Sequence, residues 1–141
     1  MTADRQLLKQ IIILNRGIRR TERRIIRKHA RQNGLSPNQL LLIDTLEDFP
    51  NNSVMGMAEI LELNKSTIST LVSQLLEQRL ISKQLDPQNK SRFILNDTSK
   101  GKHVAAGIYD NYLDELIQTF RLDQLDLAGI KHVLEKMESN P

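Results

Sequence analysis

Between residues 65 and 76 the sequence reads Lys-Ser-Thr-Ile-Ser-Thr-Leu-Val-Ser-Gln-Leu-Leu, and at helical spacing it separates into two stripes. Ile68, Leu71, Val72, Leu75 and Leu76 fall on one side, and Ser66, Ser69, Thr70, Ser73 and Gln74 on the other. A helix face meant only for water usually carries Lys and Glu, which form helices better than Ser or Thr. Short, uncharged hydrogen-bonding groups give up helix propensity and gain close approach to a polar surface. The floor of a DNA major groove is such a surface, because Ser and Thr bond base edges or phosphates and Gln pairs with adenine through two hydrogen bonds. The other reading is a surface helix that is merely rich in Ser and Thr. The stripe alone does not separate the two.

Other chemistries find little footing. His29, His103 and His132 are scattered with no metal-ligand spacing. The six glycines are isolated, so neither a phosphate-cradling loop nor a dinucleotide fingerprint exists. With no cysteine there is no disulfide framework, thiol nucleophile or thiolate metal site. Asp44, Glu47 and Asp48 read as a solvated helix face, and no nucleophile–base pair is suggested. The sequence therefore points away from an enzyme, and it calls for no metal and no cofactor.

At 141 residues, with 39% hydrophobic and 26% charged residues, the chain has the length and composition of one globular domain. No apolar run is long enough to span a membrane and no signal peptide is evident, so a cytoplasmic protein is expected. The net charge of +3 conceals an asymmetry: residues 1–31 hold ten Lys or Arg against Asp4 and Glu22 alone, and the remainder is net acidic. Such a basic segment suits a polyanion, an acidic partner surface, or a solvated face.

The elements that must position these residues can be read in order. A first helix is predicted from about Asp4 to Gln32, with Leu7, Ile11, Leu14, Ile18 and Ile25 on one side and Arg16, Arg20, Arg23, Arg27 and Arg31 on the other. At about 40 Å it is long and two-faced for a small monomer, and its apolar side calls for a partner, expected to be a second subunit. Ser36, Pro37 and Gln39 form a capping box, with Leu35 and Leu40 as staple, for a second helix from Pro37 to about Asp48. A short third helix is predicted over Gly56–Glu62, and a fourth follows the turn and cap at Asn64-Lys65-Ser66 and runs to about Arg79. Two strand-like runs, Leu80–Leu85 and Arg92–Asn96, flank the turn chemistry of Asp86-Pro87-Gln88-Asn89-Lys90. Thr98 caps a fifth helix to about Phe120, and Asp123 a sixth to about Glu138. The arginine band is expected to be compensated, within or between subunits, by Asp110, Asp114, Glu115, Asp123 and Asp126.

A short helix, a tight turn and a second helix with a polar stripe make a helix-turn-helix, and the following hairpin makes it a winged helix. Lys90 and Arg92 at the hairpin tip are cations suited to phosphates or a narrow minor groove. Over nearly its whole length the chain resembles the MarR family of dimeric transcriptional regulators. The resemblance is carried by Asp86-Pro87-Gln88-Asn89-Lys90-Ser91 followed by Thr98-Ser99-Lys100-Gly101, by Met57-Ala58-Glu59 through Leu63, and by Lys65-Ser66-Thr67-Ile68-Ser69 through Leu75. The chain departs from the family pattern at Asn89, usually Asp, and at Ser91, often Arg. It departs again at Asp97, usually Leu, and at Arg79, commonly Gly.

The resemblance implies a mainly α fold: a winged helix-turn-helix with a two-stranded β-wing over residues 35–97, framed by dimerisation helices at 1–34 and 98–141. It implies a homodimeric repressor of transcription that binds a pseudo-palindromic operator in double-stranded DNA. A small anionic or phenolic effector, bound between the dimer helices and the winged helix, would release it. On this reading Lys65, Ser66, Thr67, Ser69, Thr70, Ser73 and Gln74 contact the groove and its phosphates, and Lys90 and Arg92 the backbone or minor groove. Two rivals remain open: an architectural protein that binds DNA without sequence preference through the arginine band, and a protein-interaction module that has lost DNA binding.

Overall fold

A computed structural model describes residues 2–140 as six helices and one antiparallel hairpin: α1 (Ala3–Gln32), α2 (Pro37–Asp48), α3 (Val54–Leu61), α4 (Lys65–Glu77), β1 (Ile81–Asp86), β2 (Asn89–Asp97), α5 (Ser99–Phe120) and α6 (Gln124–Ser139). The mainly helical winged architecture is the one expected. Local chemistry sets most boundaries. α1 ends where Gly34 takes a left-handed conformation that a side chain would strain. Both hydrogen bonds of the Ser36–Gln39 capping box open α2.

α2 is the hub. Leu40, Leu42, Ile43 and Leu46 are fully buried, and the helix touches α1, α3, α4, α5 and β2. Met57 from α3, Ile68 and Leu75 from α4, Leu95 from β2 and Ile108 from α5 close the core around it. Each such side chain contributes about 1.5–3 kcal/mol on burial.

Two boundaries differ from expectation. α3 starts at Val54 rather than Gly56, because the Ser53 hydroxyl accepts from the Gly56 N–H and so caps the helix earlier. The wing turn shrinks to Pro87-Gln88, and β2 begins at Asn89 instead of Arg92. The pairing register slips between Leu85, opposite Phe93, and Asp86, opposite Asn89. That irregularity draws Lys90, Ser91 and Arg92 into the strand. At its other end the wing is tied to the segment after α2 by paired backbone hydrogen bonds between Asn52 and Leu95.

The junction of α4, wing and α5 is tight. α4 closes with Arg79 N–H bonded to the Leu76 carbonyl and Leu80 N–H to that of Leu75, which puts Arg79 in the left-handed region at φ 60°. The Leu80 carbonyl then accepts from the Thr98 N–H, the Thr98 hydroxyl donates to the Arg79 carbonyl, and Lys100 donates to that of Gln78. A Cβ on Gly101 would lie 2.0 Å from the Leu80 oxygen, so only glycine lets α5 approach this closely. Because the left-handed conformation strains a residue with a Cβ, Arg79→Gly should raise stability by about 0.5–1 kcal/mol, after allowing for the added chain entropy of the unfolded state. Gly101→Ala should lower it by about 1–3 kcal/mol through overpacking against backbone. Urea unfolding of the two variants checks the opposite signs.

Candidate nucleic-acid interface

The turn from α3 to α4 is made by Glu62 in the left-handed region and by Asn64 as N-cap. The Asn64 carboxamide oxygen accepts from the Thr67 N–H and from the Ser66 hydroxyl, both at 2.8 Å. Ile68, Leu71, Val72 and Leu75 sink one side of α4 into the core, with Leu76 at its edge. The opposite side stands in solvent: Lys65, Ser66, Ser69, Thr70, Ser73 and Gln74 are all exposed, and Thr67 is half-buried at the boundary.

Besides Ser66, whose hydroxyl is held by Asn64, two of these side chains are already engaged. The Thr70 hydroxyl donates to the Ser66 carbonyl at 3.1 Å. The Gln74 side-chain oxygen accepts from the Gln39 amide at 2.8 Å, which links α4 to the capping box of α2. While that bond stands, Gln74 keeps its amide donors and the second lone pair of its oxygen for adenine, in an orientation set by Gln39. Sequence reasoning missed this link, because helical spacing does not show which residue of another helix faces a given side chain. The first turn of α4 carries no acid, and Lys65 occupies its first position. A cation at the positive end of a helix is electrostatically misplaced unless an anion lies nearby, and phosphate fits that description.

The wing presents Lys90 in solvent and holds Arg92 back. Arg92 Nε donates to Asp86 at 2.8 Å, with the Arg92 side chain 54% exposed and that of Asp86 11%. Asp86 also accepts from the Gln88 N–H across the turn, and this bond, followed by Arg92, holds its carboxyl below the usual carboxylate range. Arg92 thus braces the wing while its exposed part stays available. Continuing the pairing of Leu85 with Phe93 would set Arg92 opposite Asp86, so the two strands bring them together although the slip pairs the Asp86 backbone with Asn89. Lys83 lies 4.2 Å from the centroid of the Phe93 ring, a further cation that the sequence did not single out.

Within the described residues the basic band of α1 meets the expected carboxylates only through Lys28, which pairs with Glu115. Among the described residues none of its arginines makes an ion pair within the chain. Of the five proposed carboxylates only Glu115 meets α1, and its partners are Lys28 and His29. The pairing with Lys28, ahead of that with His29, keeps the Glu115 carboxyl below its ordinary value. His29 Nε2 sits 3.2 Å from Glu115, and among the described residues no group of three His, Cys, Asp or Glu is placed to hold a metal ion.

Large apolar surfaces remain open. Leu7, Leu8, Ile11, Ile12, Ile13, Leu14 and Ile18 of α1 are exposed, and α6 buries no residue, with Leu125 83% exposed. Ile11, Leu14 and Ile18 face Leu125, Ile130, Val133, Leu134 and Met137 across an open groove of about 750 Å³. Exposed apolar surface of this extent marks an interaction site on a folded chain. No described helix is long and apolar enough to cross a membrane.

Comparison with known proteins places this arrangement. Residues 33–90 match the family model described as MarR family. No curated protein sequence matches the chain. Among solved structures, a MarR family transcription regulator superposes with a TM-score of 0.82 at 16% identity, covering 99% of this chain and 93% of the other. A mutant of MarR from E. coli gives 0.79 at 13% identity, covering 88% and 93%. A mutant of MepR from S. aureus, bound to an oligodeoxyribonucleotide, gives 0.68 at 22% identity, covering 92% and 96%. Since Asn64 supplies both side-chain bonds that open α4, Asn64→Ala should destabilise the chain by about 1 kcal/mol in urea unfolding. It should also speed amide exchange at Thr67.

Proposed function

We propose that the chain, whose residues 33–90 match the MarR family model and whose fold is that of solved MarR-type structures, is a winged-helix transcriptional regulator that binds double-stranded DNA as a homodimer. The observation that carries the reading is the exposed Ser, Thr and Gln face of α4, backed by a buried apolar stripe and opened by a lysine at the helix N-terminus. That face is shaped for a major groove. The S. aureus MepR structure, a winged helix of the same fold, is bound to an oligodeoxyribonucleotide.

In this account α4 of each subunit enters one major groove, and half-sites lie about 10 bp apart on a pseudo-palindrome. Ser66, Ser69, Thr70, Ser73 and the donor end of Gln74 meet base edges, with Thr67 at the margin. Lys65 and Lys90 meet phosphate, and Arg92 reaches backbone or minor groove from its brace on Asp86. Residues 35–97 serve as the DNA-binding unit, and residues 1–34 and 98–141 as the dimerisation unit. The open apolar surfaces of α1 and α6 support the second assignment, since a partner subunit would cover them. The protein acts in the cytoplasm as a repressor, released when a small anionic or phenolic ligand favours a dimer whose α4 helices are wrongly spaced.

The uncompensated arginines of α1 favour one rival, binding without sequence preference. Fluorescence anisotropy separates the two, using the region upstream of the protein's own gene, a scrambled duplex and two salt concentrations. The regulator should prefer the genuine region by about 10³-fold or more, with salt-sensitive affinity. Ser69→Ala with Gln74→Ala should reduce that preference by about 10- to 100-fold and leave scrambled-duplex binding unchanged. An architectural protein would instead bind both duplexes equally and lose binding with Arg20→Glu plus Arg27→Glu. Absence of binding at low salt would support the interaction module. Ile130→Glu with Leu134→Glu should turn a dimer into a monomer in sedimentation analysis.

A further inference from the structure

Asp97 is the last residue of β2, opposite Ile81 in the hairpin and immediately before the Thr98 cap of α5. Both of its carboxylate oxygens are out of contact with water, and neither has a hydrogen-bond partner among the described residues. Buried side-chain oxygens without partners are rare in folded proteins, and an ionised carboxylate in that state is strongly disfavoured. The surroundings deepen the penalty: α2 directs Glu47 and Asp44 at Asp97, and only Lys102 of α5 opposes them. Where the family pattern usually has leucine, this chain has placed an acid.

The position gives that acid leverage. The next residue, Thr98, bonds the Leu80 carbonyl through its N–H and the Arg79 carbonyl through its hydroxyl, which also accepts from the Gly101 N–H. Asp97 is therefore one bond away from the junction that fixes the end of α4, the base of the wing and the start of α5. A neutral carboxyl fits there much as a leucine would. A charged one is driven toward water, and the backbone that carries it holds the junction.

We propose that Asp97 is a proton-operated joint: neutral, it packs into the junction of α4, wing and α5; ionised, it leaves and loosens that junction. Burial first, then the Glu47 charge, pushes its carboxyl from 3.8 up to about 7. The folded chain consequently binds more protons at this site than the unfolded chain across that interval. The stabilisation is complete below the unfolded value of 3.8 and is lost as pH rises toward about 7.

The test uses the full-length protein and the variants Asp97→Asn and Asp97→Leu. Between about pH 5 and about pH 8 the unfolding constant of the wild type should rise at least ~10-fold relative to Asp97→Leu, as urea titrations would show. The Asp97 carboxyl carbon, followed by NMR in the wild type, should titrate near neutrality. A midpoint near 4, or stability profiles parallel in wild type and Asp97→Leu, would overturn the proposal. The NMR titration decides the matter even where Asp97→Asn fails to fold. A consequence for DNA rests on the reading of α4 above: wild-type affinity should fall across the same interval and Asp97→Leu affinity should not. If both proteins lack DNA binding, that reading fails, and the NMR and unfolding results still judge the joint.

Discussion

The approach of α5 to the backbone carbonyl of Leu80 is the contact on which the rest of the structure depends. It exists because Gly101 has no side chain and because Thr98 satisfies two carbonyls at the end of α4 with its N–H and its hydroxyl. One helix start thereby fixes three things: where α4 stops, where β1 departs, and the direction in which α5 leaves the winged helix. Polar groups of the backbone that are withdrawn from water must be paired, so this junction has few alternative arrangements. The left-handed Arg79 is part of the same constraint, a strained residue held because the carbonyls around it are all bonded.

Around this junction the chain separates two kinds of surface. The winged helix encloses a complete core, with α2 at its centre, and exposes polar and cationic groups on α4 and the wing. The terminal helices do the reverse, leaving apolar side chains of α1 and α6 uncovered while α1 presents arginines that meet no carboxylate among the described residues. On the proposed reading a second subunit would bury the apolar surface, and DNA would meet the polar and cationic one. Both partners would reach the winged helix through α5, which runs from the Leu80 junction into the terminal region.

Much of this was legible in the sequence. The capping boxes and N-caps at Ser36, Asn64, Thr98 and Asp123 announce themselves because their chemistry lies within three residues. Helical spacing put five residues of α4 on a buried stripe, and the structure buries four of them and leaves Leu76 at the edge. What escaped is what depends on distant pairing. The Gln39–Gln74 hydrogen bond joins residues 35 positions apart, and the Asp86–Arg92 brace joins two strands whose register the turn chemistry alone did not give. The basic band of α1 shows the same limit, since charge totals suggested carboxylate partners without saying that Lys28 and His29 are the residues that meet Glu115 within the chain. The departure at Asp97 was visible as a change of residue type, and its burial only as coordinates.

The central claim is that two α4 helices read one face of a duplex together, and a hydroxyl-radical footprint on the bound upstream region tests it most directly. The account predicts two protected windows about 10 bp apart on the same face of the helix, with bases of the intervening major grooves shielded from methylation. Protection without a repeat, or a single window with no second half-site, would contradict it.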